Sequence, residues 1–361
     1  MKYRALLLAA CTLLLAACST DPTTPLEVSS RYDASSYAAN AAQETTLRAD
    51  LSALVTLIKT GRTQGTKVDE SQLTALASAL PLGAYAAVVN ASIPELAKAS
   101  GGSYDPRKSV AENGQGGVYG GYLFDETGLE FEQVIEKGLF GAMLYPKAVA
   151  LMTADATSAD VDRILALYGA DPSFPNSDKV ATPDRLLAAY AARRDKNDGN
   201  GVYTTIAAAF RKAKAAAAAG SDYNAEKLDA FTTIRTTWER ALMATVVNYL
   251  LTGITTFSST SPTDAAIASA LHACGEAIGF CYGMSAVPQA QRRITDTEIQ
   301  SLAALMQYAP PTGSTMYRLV TEPVTAVAQL QEAVQKIATI YGYSASDIED
   351  FRSNWVNVQQ R

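Results

Sequence analysis

The segment from Phe231 to Tyr249 constrains the fold more than any other. Phe231, Ile234, Trp238, Leu242, Val246 and Tyr249 recur every three or four residues, which is the period of a helix with one apolar face. A strand would scatter the same side chains over both faces of a sheet. The pattern repeats elsewhere: Leu47, Leu51, Leu54 and Ile58 form a stripe that stops at Gly61, read as a left-handed cap. Val324, Val327, Val334 and Ile337 form another after Pro323. The run "AAAFRKAKAAAAAG" is rich in strong helix formers and ends at Gly220. Helix starts are expected at Thr182-Pro183 and at two capping boxes, "TDTE" from Thr295 and "SDIE" from Ser346. The chain therefore reads as all-α, with about ten helices and at most one small β-hairpin. That hairpin is expected in "YLFDETGLEF", where two short apolar runs flank a turn with Gly128, ahead of a helix starting near Glu130.

The first residues, "MKYRALLLAACTLLLAACSTD", place Lys2 and Arg4 before an apolar run too short for a membrane span. This pattern predicts a signal peptide over 1–17. Leu15-Ala16-Ala17-Cys18 matches the bacterial lipobox, which predicts acylation of Cys18 and cleavage before it. Acyl chains contribute roughly 0.8 kcal/mol per buried methylene, so the lipid would hold the protein on a membrane with no transmembrane helix. A Ser/Thr/Pro-rich tether over 18–35 and a helical domain over 36–361 would follow. Ser19 after the lipidated cysteine favours the outer membrane, on its periplasmic side or at the cell surface.

The formal net charge of −6, with Lys and Arg scattered, leaves no basic stripe for nucleic acid. Of four cysteines, Cys11 leaves with the leader and Cys18 carries lipid. Cys274 and Cys281 would lie about 10 Å apart along one helix. A disulfide needs Cα atoms within about 7 Å, so two buried free thiols are expected.

"LHACGEAIGFCYG" holds the only histidine, His272, with Glu276 one helical turn later. The pair would offer one nitrogen and one carboxylate to a metal, yet a zinc hydrolase needs three protein ligands, and no HExxH stretch is present. The alternative is a buried helix face on which His272 bonds to a neighbour such as Glu276. Cys274, two residues from His272, points to another face, which disfavours a Cys-His nucleophile. The glycines of "NGQGGVYGGY" fit no phosphate loop, and "DKNDGNG" fails the calcium-loop register because Ile206 stands where a glutamate is needed. Glu130, Glu132 and Glu136 read as a solvated helix face.

Four segments, "AAQETTLRADLSALVTLIKTG", "GGYLFDETGLEFEQVIEKGLFGAMLYP", "LHACGEAIGFCYGM" and "RRITDTEIQSLAALM", together resemble a family of bacterial envelope lipoproteins with a domain of unknown function, related to the imelysin-like proteins. The resemblance implies two packed helical bundles and a link to iron or nutrient acquisition. It also implies a metal, haem or envelope protein as partner, with iron or another divalent metal as cofactor. Imelysin relatives carry Gly-x-His-x-x-Glu; the similar stretch here, Gly141-Ala142-Met143-Leu144-Tyr145-Pro146, lacks both ligands. A run with His and Trp in nearer members is "DVDRILALYGADPSFP" here, without either, whereas His272 and Glu276 remain. The expectation is a non-enzymatic binding or accessory lipoprotein. A metal-dependent peptidase and a structural interaction protein are the alternatives.

Overall fold

The computed structural model describes residues 24–361, so the leader and Cys18 lie outside the described residues. Helices dominate. The first layer is α1 (Tyr37–Asn40), α2 (Ala42–Thr60), α3 (Glu70–Ser78) and α4 (Ala86–Ala99). A hairpin, β1 (Gly117–Tyr119) and β2 (Tyr122–Phe124), leads into α5 (Phe131–Leu139), α6 (Tyr145–Leu151) and α7 (Ser158–Tyr168). Then come α8 (Leu186–Arg194), α9 (Val202–Ala219), α10 (Asn224–Phe257), α11 (Asp264–Gly283) and α12 (Asp296–Leu305). A two-residue strand pair, β3 (Tyr308–Ala309) and β4 (Gly313–Ser314), precedes α13 (Arg318–Thr321), α14 (Pro323–Tyr341), α15 (Ala345–Phe351) and α16 (Trp355–Val358). The fold is all-α with several packed helices, as the periodicity predicts.

The centre of the molecule is α10, which packs against α9, α11, α14 and α8. Phe231, Ile234, Trp238, Leu242 and Val246 are buried, and every residue from Ala241 to Val247 is buried as well. Only a helix surrounded by others can bury all of its faces. One contiguous core runs from Tyr32 to Val356. The stretch Asp264–Ala286, which contains α11, is long and apolar enough to cross a membrane, but it lies within this core against α5 and α10.

Several local expectations are corrected. Gly61 caps α2 in a right-handed conformation, φ −65° and ψ −13°. Its glycine serves space instead, since a Cβ there would lie 2.8 Å from Val68 Cγ2 and 2.9 Å from Leu123 Cδ2. Thr182-Pro183 starts no helix; α8 begins at Leu186 after an uncapped Arg185. The capping box of α15 is built by Ser344 and Asp347, two residues before the expected start. The box at Thr295 and Glu298 is where it was expected. Val324 is 87% exposed and belongs to no core face, whereas Ala326 and Val327 of the same helix are buried. The hairpin turns at Gly120-Gly121, φ +58° and +85°, seven residues before the expected turn at Gly128. Two consecutive positive φ values match the tight turn that suits twisted strands, and glycine adopts them without a Cβ penalty.

Candidate functional site

Small residues on α11 bring two helices into backbone contact. A Cβ on Gly279 would stand 2.1 Å from the Gln133 carbonyl oxygen, and one on Gly283 would stand 2.3 Å from that of Gly138. The glycines thus let α5 lie directly on α11. Between α5 and α6 the chain widens into a π-turn over Phe140–Leu144, where Gly141 backs onto Gly283 and Met284. The stretch 141–146 is therefore a packing element.

The close approach carries the side chains of α5 onto His272. Nδ1 of His272 lies 2.5 Å from Oε2 of Glu130, and Nε2 lies 3.7 Å from Oε2 of Glu276. Glu130 also holds Arg62 Nη2 at 3.0 Å, and Arg62 makes a two-pronged contact with Glu132 at 2.7 and 2.8 Å. Lys59 reaches Glu132 at 3.8 Å and Glu136 at 3.5 Å. Lys137 joins Glu136 at 3.1 Å to Glu276 at 3.2 Å, which returns the path to His272. Four basic and four acidic side chains thereby alternate around a closed ring. Tyr122 of the hairpin covers it, stacked on His272 at 4.2 Å with the Arg62 guanidinium 4.8 Å from the same ring.

The expectation of a solvated acidic face on α5 is overturned. Glu130 is fully buried and Glu132 is 1% exposed, because α2, α11 and the hairpin close over them. Buried carboxylates persist only when paired, and here each has a basic partner. Burial, and then the adjacent Glu130, push Glu132 up to about 7 against the pull of Arg62. Burial opposes the His272 charge, but Glu130 and then Glu276 outweigh it and raise the imidazole above its ordinary range. Burial would likewise neutralise Lys137; Tyr190, Glu136 and Glu276 instead hold it well above the usual lysine value.

This arrangement does not fit a metal centre. His272 and Glu276 do share a helix face as expected, but His272 is engaged by Glu130, and Glu276 is engaged by Lys137. A cation would have to displace Arg62 or Lys137 from the carboxylates needed to complete its shell. Among the described residues no three His, Cys, Asp or Glu side chains are grouped to hold a metal ion. Cys274 turns toward α10, where a Cβ on Gly253 would lie 2.7 Å from its sulfur, so it does not face the imidazole.

One side of the ring opens on a cleft of about 710 Å³, lined by Lys59 and Glu136 together with α2, Phe140 and the 169–186 loop. That loop is closed at its base. Arg185 N donates to Gly169 O at 2.8 Å, and Gly169, at φ +94°, has no room for a Cβ against the Arg185 carbonyl. Buried Asp184 bolts it further, accepting from Asp171 N at 2.9 Å and from Tyr203 Oη at 2.6 Å. The result fixes Arg185 at the cleft rim, with Arg48 of α2 also lining it. Among the described residues neither guanidinium has a carboxylate within ion-pair distance. Arg48 donates to the Ala166 carbonyl at 3.3 Å. Burial lowers its pKa first, the Arg185 charge lowers it further, and Tyr37 works against both. No sequence signal marked Arg48 or Arg185, which lie 137 positions apart and meet only through the loop.

No curated protein and no solved structure matches the chain. The ring and the cleft both draw on residues inside and outside the segment that does find a counterpart. Residues 166–344, which contain His272, Glu276 and Arg185, match the model of a domain of unknown function, so the chain carries a DUF4856 domain.

Proposed function

We propose that the protein is a lipid-anchored envelope lipoprotein that binds a small organic anion in the cleft as a non-enzymatic accessory to nutrient acquisition. The observation that carries this reading is the pair Arg48 and Arg185, two guanidiniums lining one cleft without a carboxylate partner among the described residues. Like charges brought together repel, and a bound carboxylate relieves the repulsion while accepting paired hydrogen bonds from each fork. Leu51, Val55, Phe140 and Leu186 supply apolar wall for the body of the ligand. The volume falls within the roughly 300–1,000 Å³ typical of small-molecule sites. The envelope setting rests on Leu15 to Cys18 and on the resemblance to imelysin-like lipoproteins. A peptidase reading finds less support, since His272 and Glu276 already serve the charge ring.

Decanoate and its neutral counterpart decanol test the cleft. Decanoate should raise the melting temperature and decanol much less, and Arg48→Gln with Arg185→Gln should remove the difference. Equal shifts by the two compounds, or a decanoate shift that survives the double variant, would sink the anion-binding role. Cys18→Ser should abolish lipid labelling and release the protein from membranes. A variant that labels and fractionates like wild type would remove the anchor from the proposal.

A further inference from the structure

A second groove, which shares no lining residue with the cleft, lies between α10, the 290–293 segment and the end of α14, and encloses about 370 Å³. Four arginines line it: Arg235 and Arg240 from α10, and Arg292 and Arg293 from the segment before α12. Two of them are committed. Buried Arg292 donates to the carbonyls of Val287 and Ile294 and pairs with Asp296 at 2.5 Å. Arg240 donates to the Tyr341 carbonyl at 2.5 Å and sits 4.8 Å from the Tyr343 ring.

Among the described residues one acid lines the groove, Glu239, and it is spent on structure. Its oxygens accept from Arg293 N at 2.9 Å, Ile294 N at 3.0 Å and the Tyr341 hydroxyl at 2.6 Å, which ties three elements together. It therefore neutralises no guanidinium by direct contact. Arg235 and Arg293 are left without a carboxylate within ion-pair distance among the described residues, and Arg293 rests 5.9 Å from the Tyr341 ring. Bonded this well, Glu239 cannot swing across to quench the two charges.

We infer that this groove is a site for a phosphate monoester, with the phosphate between Arg235 and Arg293. A phosphoryl group carries about −1.5 to −2 charge near neutral pH, which balances two guanidiniums better than one carboxylate does. Planar arginine forks also match its oxygens in pairs. The remaining volume takes the alcohol portion of the ester against Thr236 and Ala290.

The test is calorimetric titration with inorganic phosphate, glycerol 3-phosphate and glycerol. Glycerol 3-phosphate should bind saturably, more weakly as salt rises, and glycerol should not bind. Binding of phosphate alone would identify the free anion as the occupant and overturn the monoester. Arg235→Gln with Arg293→Gln should weaken binding at least about tenfold, the scale of one lost charge-assisted bond. Ala290→Glu at an exposed position keeps every arginine and should weaken it similarly, which covers the case of a misfolded double variant. Arg48→Gln with Arg185→Gln should change nothing here. Absence of saturable binding to wild type, indifference to both groove variants, or sensitivity to the cleft variant would overturn the site.

Discussion

His272 and Glu130, 142 residues apart in sequence, meet with Nδ1 and Oε2 only 2.5 Å from each other. The contact joins α11 to the residue that precedes α5 and is one link of a ring in which every buried acid touches a base. It makes the single histidine a reporter of the whole ring, because the imidazole is charged only if the carboxylates around it prevail over burial.

The pH dependence of stability follows from that competition. His272 is raised above its ordinary value, so its contribution is complete below the unfolded pKa of about 6.5 and is lost as pH rises through the folded pKa. Burial pushes Asp125 and Glu132 up to about 7 and Asp184 up to about 6. A carboxyl raised in the native state retains its proton longer than in the unfolded chain, so its ionisation costs stability between its ordinary pKa of about 4 and the raised value. All four shifts act in one direction. Acids held low, such as Asp160 at the start of α7, act in the opposite direction and below that window. Stability should therefore peak near pH 5 and fall toward pH 8, as read by urea midpoints across pH. A single imidazole resonance makes the check direct: its NMR titration midpoint should lie above about 6.5, and a midpoint at or below that value would contradict the ring.

The glycines of α11 make a second prediction, with two members of one stripe diverging. A Cβ on Gly279 would strike the Gln133 carbonyl at 2.1 Å, and backbone cannot step aside. A Cβ on Gly275 meets only the side chains of Glu130 and Gln133, at 3.5 to 3.7 Å, which is ordinary contact. Gly279→Ala should destabilise by about 1–3 kcal/mol or more through overpacking. Gly275→Ala should be neutral or stabilising by up to about 1 kcal/mol, the helix preference of alanine. Urea unfolding decides it, and equal midpoints for the two variants would show that α5 and α11 do not touch backbone to backbone.

What could be read from the chain was local and periodic. The stripe from Phe231, the stop at Gly220 and the box at Thr295 each depend on residues within a turn or two of one another, and all three stand. Val324 failed because periodicity says which residues share a face without saying which of them meet a partner. Glu130 and Glu132 failed for the complementary reason. Their partners Arg62 and His272 come from distant segments, and an acidic residue beside apolar ones looks the same whether water or arginine answers it. The His272 and Glu276 pairing on one helix was legible; Glu130, the nearer partner, required the glycine contact that only packing reveals. Arg48 and Arg185 were silent for the same reason.

The two cysteines of α11 support the last prediction. Cys274 and Cys281 are both fully buried and free, and burial alone pushes each thiol up to about 12. The thiolate is the reactive form, so at pH 8 only about one sulfur in ten thousand is ionised, and α11 itself is walled in by α10 and α5. Their places seven residues apart on one unbroken helix also hold their Cα atoms about 10 Å from each other, too far for a disulfide. Native protein treated with iodoacetamide at pH 8 should therefore carry no label on either residue by peptide mapping. In urea both should label, one adduct each, without prior reduction. Rapid native labelling of either cysteine would mean that α11 opens to solvent, and unfolded protein that labels only after reduction would mean that the helix is broken between them.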